Sequence, residues 1–85
     1  MRFRIRIRIT PRVGILDPQG QAVEHALASL GFGGVGAVRV GRSIELALEA
    51  GTEAEAREVA RRMCVRLLAN PVTEDFALDG VEPAA

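Results

Sequence analysis

Residues 2 to 9 alternate strictly, with Arg2, Arg4, Arg6 and Arg8 interleaved by Phe3, Ile5, Ile7 and Ile9. A period of two puts the four cations on one side of an extended chain and the four large apolar side chains on the other. Such a segment is a half-buried β-strand, and its apolar side requires a covering layer. The chain has little length with which to supply one. Its 85 residues make a single domain, and a domain of that size buries only about 60% of the surface its unfolded form exposes. Cys64 is the only cysteine, which excludes an internal disulfide, and one Cys with one His cannot assemble a multi-ligand metal site. Self-association or docking is the remaining source of stability.

Charge narrows the function classes. Eleven Arg, with no Lys, balance eleven Asp and Glu to a formal net charge of zero, which removes the general electrostatic drive toward nucleic acid or an anionic membrane. An apolar content of 48% is too high for disorder. The chain has no continuous apolar stretch long enough for a signal peptide or a membrane span, so a reduced, cytoplasmic setting is the expectation.

Asp17-Pro18 reads as an N-cap with Pro at the first helical position, where its missing N–H costs nothing. Val23, Ala26, Leu27 and Leu30 follow at the spacing of one buried helical stripe, and Gly31 is its left-handed stop. Val38, Val40, Ile44, Leu46 and Leu48 then form a second alternating stretch, interrupted at Gly41-Arg42 by either a hairpin turn or a bulge; the hairpin is favoured because Gly tolerates positive φ. Thr52 and Glu55 make a capping box ahead of a second helix, whose stripe contains Ala56, Val59, Ala60, Met63 and Leu67, with Cys64 and Leu68 beside them. Asn70-Pro71 ends it, and a last strand runs from about Thr73 to Val81. The expected fold is α+β, a ferredoxin-like β-α-β-β-α-β domain over residues 1–82 with two helices on one face of an antiparallel sheet, and a frayed tail at 83–85. The acids Glu74, Asp75, Asp79 and Glu82 of the last strand are expected to pair with the Arg row across the open face.

Several features invite a functional reading. Four guanidinium groups in a row suit a phosphate- or RNA-binding face, but sheet-type RNA binders stack bases on aromatic side chains, and the chain has three Phe and no Tyr or Trp. A solvated, neutralised face is the favoured reading. Gly31 to Gly36 satisfies G-x-G-x-x-G, yet it follows a helix and leads into a strand, the reverse of the dinucleotide-binding context. His25 has no nucleophile or carboxylate at catalytic spacing, and Cys64 reads as a small core residue. An acylphosphatase-like activity is discounted because Val13 to Asp17 is apolar and then acidic, with no anion cradle.

Two segments exceed what capping and turning need. Leu16-Asp17-Pro18-Gln19-Gly20 places a helix-weakening Gly in a first turn, and Leu67 to Asp75 combines a helix end, a sharp turn and two adjacent acids. With Leu30-Gly31, Val38 to Leu46 (V-R-x-G-R-x-I-E-L) and Cys64 to Asp75 (C-x-x-L-L-A-N-x-V-x-E-D), they resemble the PurS family, small subunits of phosphoribosylformylglycinamidine synthase. The glycine run at Gly33 to Gly36 and the short acidic and Ala-rich tail depart from that pattern. The resemblance implies a non-catalytic subunit in purine biosynthesis that carries no cofactor. It would dimerise or tetramerise and hold a PurQ-type glutaminase to a PurL-type synthetase, which uses ATP and magnesium, while helping to protect ammonia in transit. Asp17, Pro18, Gln19, Gly20, Asn70, Pro71, Glu74 and Asp75 are the candidate partner contacts, with helix capping and turn formation as the alternative. A small RNA- or ligand-binding ferredoxin-like module is the other function class open to such a chain.

Overall fold

The computed structural model describes residues 1–84. The elements run β1 (Arg2–Pro11), α1 (Pro18–Ser29), β2 (Arg42–Glu49), α2 (Glu53–Met63), a π-helical turn (Cys64–Leu68) and β3 (Glu74–Ala84). The fold is α+β, and its sheet has three strands in the order β2-β1-β3, with β1 antiparallel to both neighbours.

The alternation of β1 sets the layers. Ile5, Ile7 and Ile9 are fully buried and Phe3 nearly so, whereas every Arg of the row faces solvent. Arg4 pairs with Glu45 (3.4 Å), Arg6 with Glu82 (2.9 Å) and Arg8 with Asp79 (3.5 Å), so the cations are neutralised from both flanking strands. These exposed pairs contribute about 0.2–1 kcal/mol each; the buried apolar side holds the sheet. Against it α2 lays Ala56, Ala60 and Cys64, all fully buried and spaced one turn apart, and their small side chains let the helix lie close to β1 and β3. The capping box forms: Glu55 N–H donates to Thr52 Oγ1 (3.2 Å), and the Glu55 carboxylate accepts from Gly51 N–H (3.1 Å).

The structure corrects four expectations. Val38 to Val40 is not a strand and Gly41-Arg42 is not a hairpin. Gly41 instead lies against the carbonyl of Ile9, where a Cβ would collide, and Asp17 takes the backbone N–H of Val40 that a fourth strand would have used (2.9 Å). With no fourth strand to return the chain across the sheet, the α1 stripe is not buried. Val23 is 41% and Leu30 74% exposed, and α1 has no extensive packing against the strands or α2.

The third correction is Leu67. Its stripe breaks because Ala69 N–H donates to Cys64 C=O (3.0 Å), five residues back, so the last turn is wide and out of phase with α2. Cys64 and Ala69 stay buried, while Leu67 is 82% exposed. The fourth is the tail: Pro83 and Ala84 are paired to Phe3 and Arg2 within β3, and Ala85 lies outside the described residues. A bulge makes that pairing productive. Arg6 faces Gly80 and Ile7 faces Leu78, leaving Asp79 as the extra residue, so the residues opposite the buried positions of β1 change from Phe76 and Leu78 to Val81 and Pro83. Among the described residues no helix is long and apolar enough to cross a membrane.

Candidate functional site at the Asp17 and Glu74 turns

The two unusual sequence segments meet at one end of the sheet. β1 ends there at Pro11, β2 begins at Arg42 and β3 begins at Glu74, with Ile9 opposite Arg42 and Pro11 opposite Glu74. Arg12 joins the segments, because its backbone N–H donates to Thr73 C=O (2.9 Å) and its Nε donates to Asp75 (3.1 Å).

Asp17 bridges two pieces of backbone. One carboxylate oxygen accepts from Gly20 N–H (3.1 Å), capping α1, and the other accepts from Val40 N–H (2.9 Å). These two bonds, Val40 foremost, hold its carboxyl below the usual carboxylate range. Gly20 is buried beneath this bridge. A Cβ there would strike the Val38 carbonyl and the Asp17 carboxylate, which is the physical reason for a glycine in the first turn of α1.

Glu74 is the second hub. Arg42 donates to it through both terminal nitrogens (2.6 and 3.0 Å), and the same guanidinium donates to Leu68 C=O (2.6 Å), tying the end of the π-helical turn to β2. Asn70 N–H also donates to Glu74 (2.7 Å), while Asn70 Oδ1 accepts from Val72 N–H (3.0 Å) and folds the turn on itself. The Arg42 bond first, and the Asn70 N–H second, lower the Glu74 pKa; its side chain is only 18% exposed.

Of the candidate contacts, Asp17, Gly20, Glu74 and Asn70 therefore have internal partners that define the turns. Pro18, Gln19 and Pro71 are exposed, and Asp75 is exposed but paired to Arg12. Around them Val13, Leu16, Leu67 and Val72 present apolar side chains to solvent. Two open clefts flank Arg12, one of about 350 Å³ bordered by Ala69, Pro71 and Phe76, the other of about 440 Å³ bordered by Ile15, Gln21 and Ala37. Arg42, Arg12 and Arg39, whose Nη1 donates to Pro11 C=O (3.1 Å), were not among the sequence candidates. Arg39 and Arg42 do lie within the Val38 to Leu46 pattern that carried the resemblance, and that was the available signal.

Burial pushes the Cys64 thiol up, away from a reactive thiolate. His25 sits on the exposed surface of α1, and among the described residues no three His, Cys, Asp or Glu side chains converge as a metal site.

Comparison with known proteins adds a further observation. A family model described as PurS: Phosphoribosylformylglycinamidine (FGAM) synthase matches residues 4–82. The chain is 46% identical over 77 residues to the phosphoribosylformylglycinamidine synthase subunit PurS of Synechocystis sp., covering 91% of this chain and 77% of that one. Its fold is similar to Thermus thermophilus PurS, with a TM-score of 0.87, 42% identity and full coverage of both chains. It is also similar to a chain of the PurLQS structure from Thermotoga maritima, with a TM-score of 0.83 and 32% identity over 92% of this chain and 95% of that one.

Proposed function

The chain belongs to the PurS family of phosphoribosylformylglycinamidine synthase subunits, and on that premise we propose that it bridges a PurQ-type glutaminase and a PurL-type synthetase without catalysing a step itself. Its likeness to a chain of the Thermotoga maritima PurLQS structure is the observation that carries this reading. The glutaminase partner releases ammonia from glutamine. The synthetase partner, with ATP and magnesium, uses it to convert formylglycinamide ribonucleotide to formylglycinamidine ribonucleotide in the cytoplasm. This chain binds both, keeps the ammonia path closed to solvent, and works as a homodimer or a dimer of dimers.

The end of the sheet described above suits the docking role. Exposed Leu16, Leu67 and Val72 supply apolar contact beside the rigid Asp17 and Glu74 turns, and a preorganised surface loses little conformational entropy on binding. The non-catalytic part of the reading is supported by Cys64, whose burial pushes its thiol up, away from a reactive thiolate.

The test compares glutamine-fed with ammonia-fed product formation by the two catalytic partners, with and without this chain. Bridging predicts that the glutamine reaction requires the chain and that the ammonia reaction proceeds without it. Indifference of both reactions would reject it.

A further inference from the structure

The larger of the two clefts beside Arg12, of about 440 Å³, is formed by the turn after β1, residues 37–39 and α1. Hydrogen bonds hold these segments in place. Ile15 N–H donates to Arg12 C=O (3.1 Å) and closes the turn. The second segment is pinned at two points, where Asp17 accepts from Val40 N–H (2.9 Å) and Arg39 Nη1 donates to Pro11 C=O (3.1 Å). Ala37, between Gly36 and Val38, has a φ of 55°, a left-handed backbone that a residue with a Cβ adopts only at a cost. Strain of this kind persists where surrounding bonds over-determine it, and it collects at ligand clamps.

The charges of this cleft do not satisfy one another. Arg39 and Glu24 both line it, yet among the described residues neither makes an ion pair, with each other or with any other side chain. Glu24 is half-buried rather than extended into water. Elsewhere the chain matches its charges, since Arg4, Arg6, Arg8, Arg42 and Arg57 each meet a carboxylate. Arg12, on the same cleft, uses its Nε for Asp75 (3.1 Å), and its terminal nitrogens bond no described residue. The Arg39 bond to the Pro11 carbonyl brings the second guanidinium to the residue beside Arg12. The remaining surface is apolar, from Val13, Ile15 and Val38, and Val13 is 87% exposed.

We propose that this cleft binds a free α-amino acid with an apolar side chain. Arg39 and Arg12 take its carboxylate, Glu24 takes its ammonium group, and its side chain lies on Val13, Ile15 and Val38. A simple anion would meet the Glu24 carboxylate, and a simple cation would meet two guanidinium groups; a zwitterion meets opposite charge at both ends. The volume falls in the range of small-molecule sites, about 300–1,000 Å³, and the pinned walls lose little freedom when a ligand enters. All of these residues belong to one chain, so the inference goes beyond the bridging reading and stands or falls without it.

The experiment titrates the nitrogen-labelled full chain with L-leucine and follows its amide resonances. Parallel titrations use isocaproate, which lacks the ammonium group, and isoamylamine, which lacks the carboxylate. The expected result is saturable shifts at the amides of Gly14, Gln21 and Ala37 with leucine, and at least about tenfold weaker binding of either analogue. Glu24→Gln should weaken leucine binding about tenfold without weakening that of isocaproate, whereas Arg39→Gln should weaken both. Spectra of the unliganded variants check the fold, and the comparison of ligands on the parent chain decides without them. No saturable shift at these amides up to the solubility of leucine would overturn the assignment. Equal binding of leucine and isocaproate by the parent would overturn it too, by showing that Glu24 reads no ammonium group.

Discussion

Arg42 and Glu74 grip each other through two hydrogen bonds of 2.6 and 3.0 Å although 32 residues separate them, and the pair joins the first residues of the two edge strands across the end of β1. Bidentate geometry distinguishes it from the other ion pairs of the sheet, which are single contacts between more exposed side chains. It also places a guanidinium under the last carbonyl of the π-helical turn.

Arg42→Ala and Glu74→Gln are each expected to lower the thermal midpoint by several degrees. The double variant should lose little more than either single one, since both remove the same interaction. Thermal unfolding of the four proteins in one double-mutant cycle checks this; additive losses would mean that the two residues act separately.

Acid should loosen both hubs. The native carboxyls of Asp17 and Glu74 titrate below their ordinary values, owing mainly to Val40 N–H and to Arg42 respectively. The unfolded chain therefore takes up protons first as pH falls. Their stabilising contribution is complete above about pH 5, beyond the ordinary carboxylate range, and is lost as pH drops through the depressed native values. Urea midpoints measured from pH 7 to pH 3 should fall in the acid range, and less steeply for Asp17→Asn and Glu74→Gln than for the parent.

Replacing Gly20 by Ala should destabilise the chain, although Gly to Ala within a helix ordinarily gains up to about 1 kcal/mol. The added Cβ meets the Val38 carbonyl and the Asp17 carboxylate. Hydrogen exchange at the Val40 amide reads the effect directly, and faster exchange than in the parent is the expected outcome.

Ile7→Ala and Leu67→Ser should behave oppositely. Truncating the fully buried Ile7 opens a cavity and is expected to cost about 2–5 kcal/mol. Leu67 lies in solvent, so its replacement should change stability by no more than about 0.5 kcal/mol, yet it should weaken assembly with the catalytic partners and slow only the glutamine-fed reaction. Denaturant unfolding and the paired assay separate the two effects; a large stability loss in Leu67→Ser would show that its side chain is not free.

What could be read from the residues was what local periodicity records. The alternation of β1, the Thr52–Glu55 cap and the N-cap at Asp17 are all as the pattern implies, because each depends on neighbours within a turn or a pleat. The 3.6-residue spacing of α1 was also genuine, but periodicity shows that a face is apolar without showing whether the fold buries it. Val38 and Val40 alternate as a strand would, and lost to a carboxylate 23 residues away. The wide turn that begins at Cys64 moved Leu67 out of its stripe. At the candidate site, the turns at Asp17 and Asn70 follow from local capping and turn chemistry, whereas Arg12 and Arg42, which hold the second turn, are distant from it in sequence.

The bulge at Asp79 makes β3 a strand of two opposite parities. Upstream of it the even-numbered residues Phe76 and Leu78 stand opposite the buried residues of β1; downstream the odd-numbered Val81 and Pro83 do so. Arg6 reaches over Gly80, the one residue that leaves room for it, to find Glu82 on the outer face. The number of residues between Leu78 and Val81 is therefore a count the fold cannot alter cheaply. Losing one would turn Val81 outward and Glu82 inward together, exchanging an apolar side chain for a carboxylate beneath α2. Gaining or losing residues in the Gly31 to Gly36 run, which meets no neighbouring side chain at Gly33, Gly34 or Gly36, carries no such inversion.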